Sequence, residues 1–203
     1  MKAFDYLYFL LPMLLWPITF IVLRSVFVYS MLVSVLILAS LTLYRNRKLI
    51  KWRTKGYLAT ALIGIGFAVA LYLIFYFGNY LATDLGLGGS VNAVYAMLYA
   101  LKDRALLVIL LAFIGVFEEI YWRGGVQGYA EKKTKMFRKY PWVLSTFYYS
   151  LVHVSTLNPI LVIAAFFVGI VTSLVAYKYG IVASTFTHII WIEAVVVFLP
   201  IVP

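Results

Sequence analysis

The chain reads as apolar runs separated by short polar breaks. Seven runs stand out, near residues 4–23, 26–44, 57–77, 105–128, 141–157, 159–177 and 181–199. Most approach or exceed the ~17–25 residues that a helix needs to cross a bilayer. A segment in lipid must satisfy its own backbone, so it is a helix or part of a closed barrel. No alternating ten-residue strand pattern recurs, and the runs therefore predict helices. Pro12 and Pro17 are expected to bend the first of them. The fold expected is all-α: a polytopic transmembrane helical bundle of about seven spans, forming a single integral-membrane domain over residues 1–203.

The stretch 78–104, "GNYLATDLGLGGSVNAVYAMLYALKDR", breaks this rhythm. Its glycines mark a loop. Its second half sets Val91, Val94, Tyr95, Leu98 and Leu101 at helical spacing, either as a short interfacial helix or as an extension of the fourth span.

Composition narrows the class. The 203 residues are 65% hydrophobic and only 12% charged, with a mean hydropathy of +1.00. Soluble domains are nearer half apolar, and this chain is too short to build a core that would bury the excess. Cysteine is absent, which removes disulfides and thiolate chemistry. The first apolar run lacks a small-residue cleavage site and is span-length, so it is expected to be a retained helix.

The net charge of +10 raises the question of nucleic acid, and its distribution answers it. Six basic residues fall within "RNRKLIKWRTK" (45–55) and five within "EKKTKMFRKY" (131–140), both short loops between apolar runs. That is the pattern of the positive-inside rule and points to no nucleic-acid partner. The N-terminus is expected on the cytoplasmic side, and a bare bundle of this size points to a prokaryotic cell membrane.

The candidate chemistry lies in the few ionisable groups within the runs: Glu118, Glu119, Arg123, His153, His188 and Glu193. Each is costly in lipid and is by default a candidate for function. Glu119 and Arg123 are four apart, about 40° around a helix, and can pair on one face. Glu118 lies about 140° from Arg123, which leaves it available as a general base. Measured from the basic loops at 1.5 Å per residue, Glu118 is about 20 Å deep, His153 about 18 Å and His188 about 10 Å. The expectation is one polar cavity shared by these groups and opening to the cytoplasmic side.

"EEIYWRGGVQ" (118–127) resembles the E-E-x-x-x-R-G signature of the CAAX protease and bacteriocin-processing family of intramembrane proteases, which includes the Ras-converting endopeptidases. "YSLVH" (149–153) is similar to that family's F-x-x-x-H motif, with Tyr149 in place of Phe. "HIIWI" (188–192) supplies the histidine of its H-x-x-x-N motif, with Ile192 in place of Asn. Order, spacing and span placement match over residues 105–199.

The resemblance implies a glutamate-dependent endopeptidase without metal. Glu118 would activate water, Glu119 and Arg123 would pair and orient the site, His153 would hold the water, and His188 would donate to the oxyanion. The partners implied are the lipid bilayer and a membrane-associated or lipidated peptide substrate. No cofactor is expected. Zinc is the alternative, since two histidines and two glutamates suffice for it chemically, but there is no H-E-x-x-H helix and Arg123 opposes a cation. Two other functions stay open. One is a catalytically silent immunity or partner protein on the same fold, which Ile192 favours. The other is a proton-coupled transporter, for which only Gly124-Gly125 hints at a broken helix.

Overall fold

The computed structural model describes residues 3–54 and 56–202. All regular structure among them is helical. The helices are α1 (Ala3–Pro17), α2 (Phe27–Leu41), α3 (Tyr57–Asp84), α4 (Gly88–Leu98), α5 (Arg104–Glu119), α6 (Gln127–Lys133), α7 (Pro141–Val152), α8 (Pro159–Tyr179) and α9 (Ile181–Glu193). Short π or 3₁₀ turns extend α1, α2, α5, α7 and α9.

Five continuous helical stretches are long and apolar enough to cross a membrane: Arg24–Leu49, Tyr57–Asp84, Arg104–Lys133, Pro159–Tyr179 and Ile181–Phe198. Tyr6–Val22 is a shorter apolar helix, and α7 with its 3₁₀ turn to Thr156 is another. All seven apolar runs are therefore helical, and the protein is an integral multi-pass membrane protein. Helix α1 runs through Pro12, and after Pro17 it gives way to a π turn over Ile18–Val22. The stretch around 91–104 is a separate helix, because α4 ends at Leu98 and Asp103 starts α5 by accepting the Leu106 N–H at 3.0 Å.

Helix α9 sits at the centre, packed against α3, α5 and α8. The main core gathers around Trp16, Leu38, Leu71, Leu107, Leu111 and Trp122, all fully buried. Outward faces keep large apolar side chains exposed, among them Leu58, Leu62, Val69 and Phe77 on α3, as a lipid solvent permits.

The two basic loops share one end of the bundle. Lys51 reaches Glu131 at 2.5 Å, Lys132 donates to the Lys48 carbonyl at 2.5 Å, and the Ile181 N–H bonds the Lys51 carbonyl at 3.2 Å. At the other end, Asn158 caps α8 through the Ile160 N–H (3.0 Å), with Pro159 in the first turn, and its amide donates to the Ser90 carbonyl (2.9 Å).

The basic end is tightly closed. A methyl group on Gly128 would lie 2.8 Å from the Leu49 carbonyl oxygen. That neighbour is backbone and cannot swing aside. Gly128→Ala should therefore destabilise by ~1–3 kcal/mol, as overpacking does. Thermal unfolding in detergent measures it, and an unchanged midpoint would mean that α6 and the 45–55 loop slide freely.

Candidate active site

Glu118 and Glu119 are the last two residues of α5, and the helix then winds as a π stretch over Ile120–Val126. Such a stretch widens the turn and frees backbone groups, and it often marks a functional site. Here the Trp122 carbonyl accepts a hydrogen bond from the Ser145 hydroxyl at 3.1 Å, which ties the stretch to α7.

Four of the five expected residues converge. Glu119 is fully buried and Glu118 is 3% exposed. Glu119 Oε1 lies 3.6 Å from Arg123 Nε and 3.0 Å from His188 Nδ1. His188 Nε2 faces Glu118 Oε2 at 3.5 Å, so the imidazole bridges the two carboxylates. With Nδ1–H donating to Glu119, a single proton on either Nε2 or Glu118 makes the second contact attractive. With that proton in place, the charges of Arg123, the two glutamates and His188 balance, as buried charges must.

A further set of groups holds this cluster, and sequence reasoning missed their parts. The Ser184 hydroxyl lies between Glu119 Oε2 and the Thr172 carbonyl oxygen (2.8 Å) and shares its one proton between them. Arg123 Nη2 donates to Thr172 Oγ1, which in turn donates to the Val168 carbonyl at 2.7 Å. The Arg123 guanidinium lies over the Tyr149 ring at 4.9 Å, a cation–π contact strengthened by burial. The Tyr149 hydroxyl donates to Glu118 Oε2 at 3.1 Å. In the sequence Tyr149 stands out only as a replacement for Phe, yet its hydroxyl is what grips the candidate base. Glu118 Oε1 has no hydrogen-bond partner among the described residues.

His153 stands at the end of α7 and lines the same cavity as Glu118, Tyr149, His188 and Ile192. Its ring is already engaged. Trp16 Nε1 donates to Nε2 at 3.1 Å, and Nδ1 lies 2.8 Å from the Tyr149 carbonyl. An indole N–H can only donate, so Nε2 is an acceptor and Nδ1 carries the proton. In this arrangement neither nitrogen is free to hold water. Glu193 is buried but outside this group, and neither of its carboxylate oxygens has a hydrogen-bond partner among the described residues.

The cavity holds about 380 Å³ and is mostly apolar. Its position corrects one expectation. The lining comes from the halves of α3, α8 and α9 remote from the basic loops, together with α4 and the start of α2. The physical reason is that α7 starts at the basic end and stops at His153, so the histidine is approached from the far side. A cavity opening toward the basic loops is not what the structure has.

Among the described residues, no three His, Cys, Asp or Glu side chains are grouped as a metal ion would need. The Arg123 guanidinium stands beside Glu119, with Nε 3.6 Å from Oε1.

No curated protein and no solved structure matches the chain. Residues 100–192, which contain Glu118, Glu119, Arg123, His153 and His188, match the family model described as Rce1-like, type II CAAX prenyl endopeptidase Rce1-like, and this bears out the family resemblance that the three motifs carry.

Proposed function

We propose that the protein is an intramembrane endopeptidase that hydrolyses a peptide bond in a membrane-associated substrate. The observation that carries this reading is the buried Glu118, gripped on Oε2 by Tyr149 and unpartnered on Oε1, facing an apolar cavity beside His188. In the reaction, Glu118 takes a proton from water as the water oxygen bonds to the scissile carbonyl carbon. His188 Nε2 donates to the developing oxyanion, and Glu119 fixes the ring from Nδ1. Arg123 and Ser184 hold Glu119 in turn. When the tetrahedral intermediate collapses, the C–N bond breaks and the proton held by Glu118 passes to the leaving amine. Donors fixed before the reaction are the efficient kind, because they need no reorganisation as charge develops. The size and apolar lining of the cavity suit a lipidated or transmembrane peptide.

The test is cleavage of a library of membrane-anchored peptides by purified protein, with Glu118→Gln as control. Cleavage that vanishes in the control supports the reading. Cleavage that persists in the control assigns it to a contaminant or to another group.

A second reading, a silent partner protein on the same fold, is favoured by two observations. Ile192 brings no donor to the cavity one turn after His188, and both nitrogens of His153 are taken. Ile192→Asn separates the two. In an active enzyme a second donor raises turnover by up to ~10²-fold, against ~1–3 kcal/mol of stability if the amide finds no partner. If both forms fold and neither cleaves, the silent reading replaces ours.

A further inference from the structure

The path to Glu118 is open on one side of the bundle and closed on the other. On the basic side, Tyr121, Trp122, Val126 and Ala130 are all fully buried between the glutamates and the loops. A recess beneath Arg123, bordered by Lys51 and Glu131, has about 10 Å³ of space, room for no more than a water. On the remote side lies the 380 Å³ cavity. The exposed part of its lining comes from α3 and the turn after it (Ile74, Leu81, Leu85) and from the first half of α8 (Ile163, Phe167). In the basic half the two helices touch, with the Phe67 and Tyr179 rings 6.1 Å apart.

Charge distinguishes the two ends. The basic loops carry eleven Lys and Arg over residues 45–55 and 131–140, against Glu131 alone. At the remote end Arg24, Lys102 and Arg104 face Asp84 and Asp103. Short loops rich in Lys and Arg stay on the cytoplasmic side of a membrane.

We propose that the site is loaded from the non-cytoplasmic half of the bilayer, between the remote halves of α3 and α8, and so acts on membrane-anchored peptides whose scissile bond lies on that side. This rests on the endopeptidase reading for its substrate class, but its geometry stands apart from activity. Positive loops fix the orientation, and the packed Tyr121–Ala130 segment blocks access from the cytoplasm. A substrate tail slides in laterally through lipid, and its peptide bond reaches Glu118 without crossing the charged face.

The chain has no cysteine, so single substitutions report access directly. Leu85→Cys should react with a membrane-impermeant maleimide in intact cells. Met136→Cys, in the second basic loop, should react only after permeabilisation. Ile192→Cys, inside the cavity, should react with a small impermeant thiosulfonate from the Leu85 side and lose that reaction when only the Met136 side is exposed. Labelling of Met136→Cys in intact cells, with none at Leu85→Cys, overturns the proposal whatever the activity. In vesicles whose orientation these two labels establish, peptides should be cleaved when presented on the Leu85 side. Cleavage confined to the Met136 side overturns the proposal and leaves the endopeptidase standing. Correct labelling with no cleavage from either side fails the endopeptidase reading instead, and with it the substrate class.

Discussion

Glu118→Gln is expected to lower peptide cleavage by ~10²–10⁴-fold, the contribution of a general base, while the protein stays folded. The two parts of this result have separate causes. Glutamine has almost the shape of glutamate, and its amide oxygen, in the place of Oε2, still accepts from the Tyr149 hydroxyl and still faces His188 Nε2. What it lacks is the capacity to take a proton from water. The substitution also removes a buried charge, which offsets the loss of the His188 contact. Turnover and thermal unfolding in the same detergent check both parts. A variant that unfolds would mean that the Glu118 charge is needed to hold the helices together, and its loss of activity would then carry no mechanistic meaning.

Arg123→Ala has the opposite profile. Removing the guanidinium leaves Glu119 without its cation, frees Thr172 Oγ1 of its donor and strips the cation from the Tyr149 ring. Breaking one side of a buried pair typically costs ~3–5 kcal/mol. Ser184 and His188 still bind Glu119, so the lower end of that range is expected. Arg123→Lys should recover only part of it, because an ammonium cannot lie flat on the ring and reach Thr172 together. The check is the order of unfolding temperatures: wild type and Glu118→Gln highest, Arg123→Lys between, Arg123→Ala lowest. If Glu118→Gln fell below Arg123→Ala, the Glu119 pair would not be the element that holds the site.

Some of this was legible in the sequence and some was not, for physical reasons. Seven apolar runs are enough to predict helices in lipid, since no other open structure satisfies its backbone there. Glu119 and Arg123 were recognisable as a pair because four residues bring side chains to one face, and the π stretch preserves that contact. The rarity of histidine in apolar helices marked His153 and His188. Nothing in the sequence said that His188 would touch both carboxylates, because that depends on how α9 packs against α5. Ser184 and Thr172 were invisible for a different reason. Hydroxyls are common in membrane helices and usually bond a carbonyl in their own helix, as Thr187 does with Ala183 at 3.0 Å. Trp16 lies 137 positions from the histidine it binds, a distance no local pattern spans. The side on which the cavity opens is not legible, because depth counted from the basic loops gives no hint that the segment below Glu118 is packed solid.

Helix α7 has one more consequence, and it concerns the membrane rather than the protein. Its twelve α-helical residues, Pro141–Val152, with the 3₁₀ turn His153–Thr156, extend about 26 Å, a few ångströms short of the ~30 Å of hydrocarbon in an ordinary bilayer. In that turn the Ser155 and Thr156 hydroxyls bond the Val152 and His153 carbonyls at 2.7 Å each, and the chain turns back at Leu157 with φ 56°. Lipids beside this corner must shorten or tilt to meet it, at fractions of a kcal/mol per Å of mismatch. A locally thinned bilayer is the expected consequence beside this corner. Where the bilayer thins, bulk water comes closer to this end of the helix than in a flat membrane. The short helix is therefore expected to make this corner of the protein sensitive to the thickness and stiffness of the surrounding lipid.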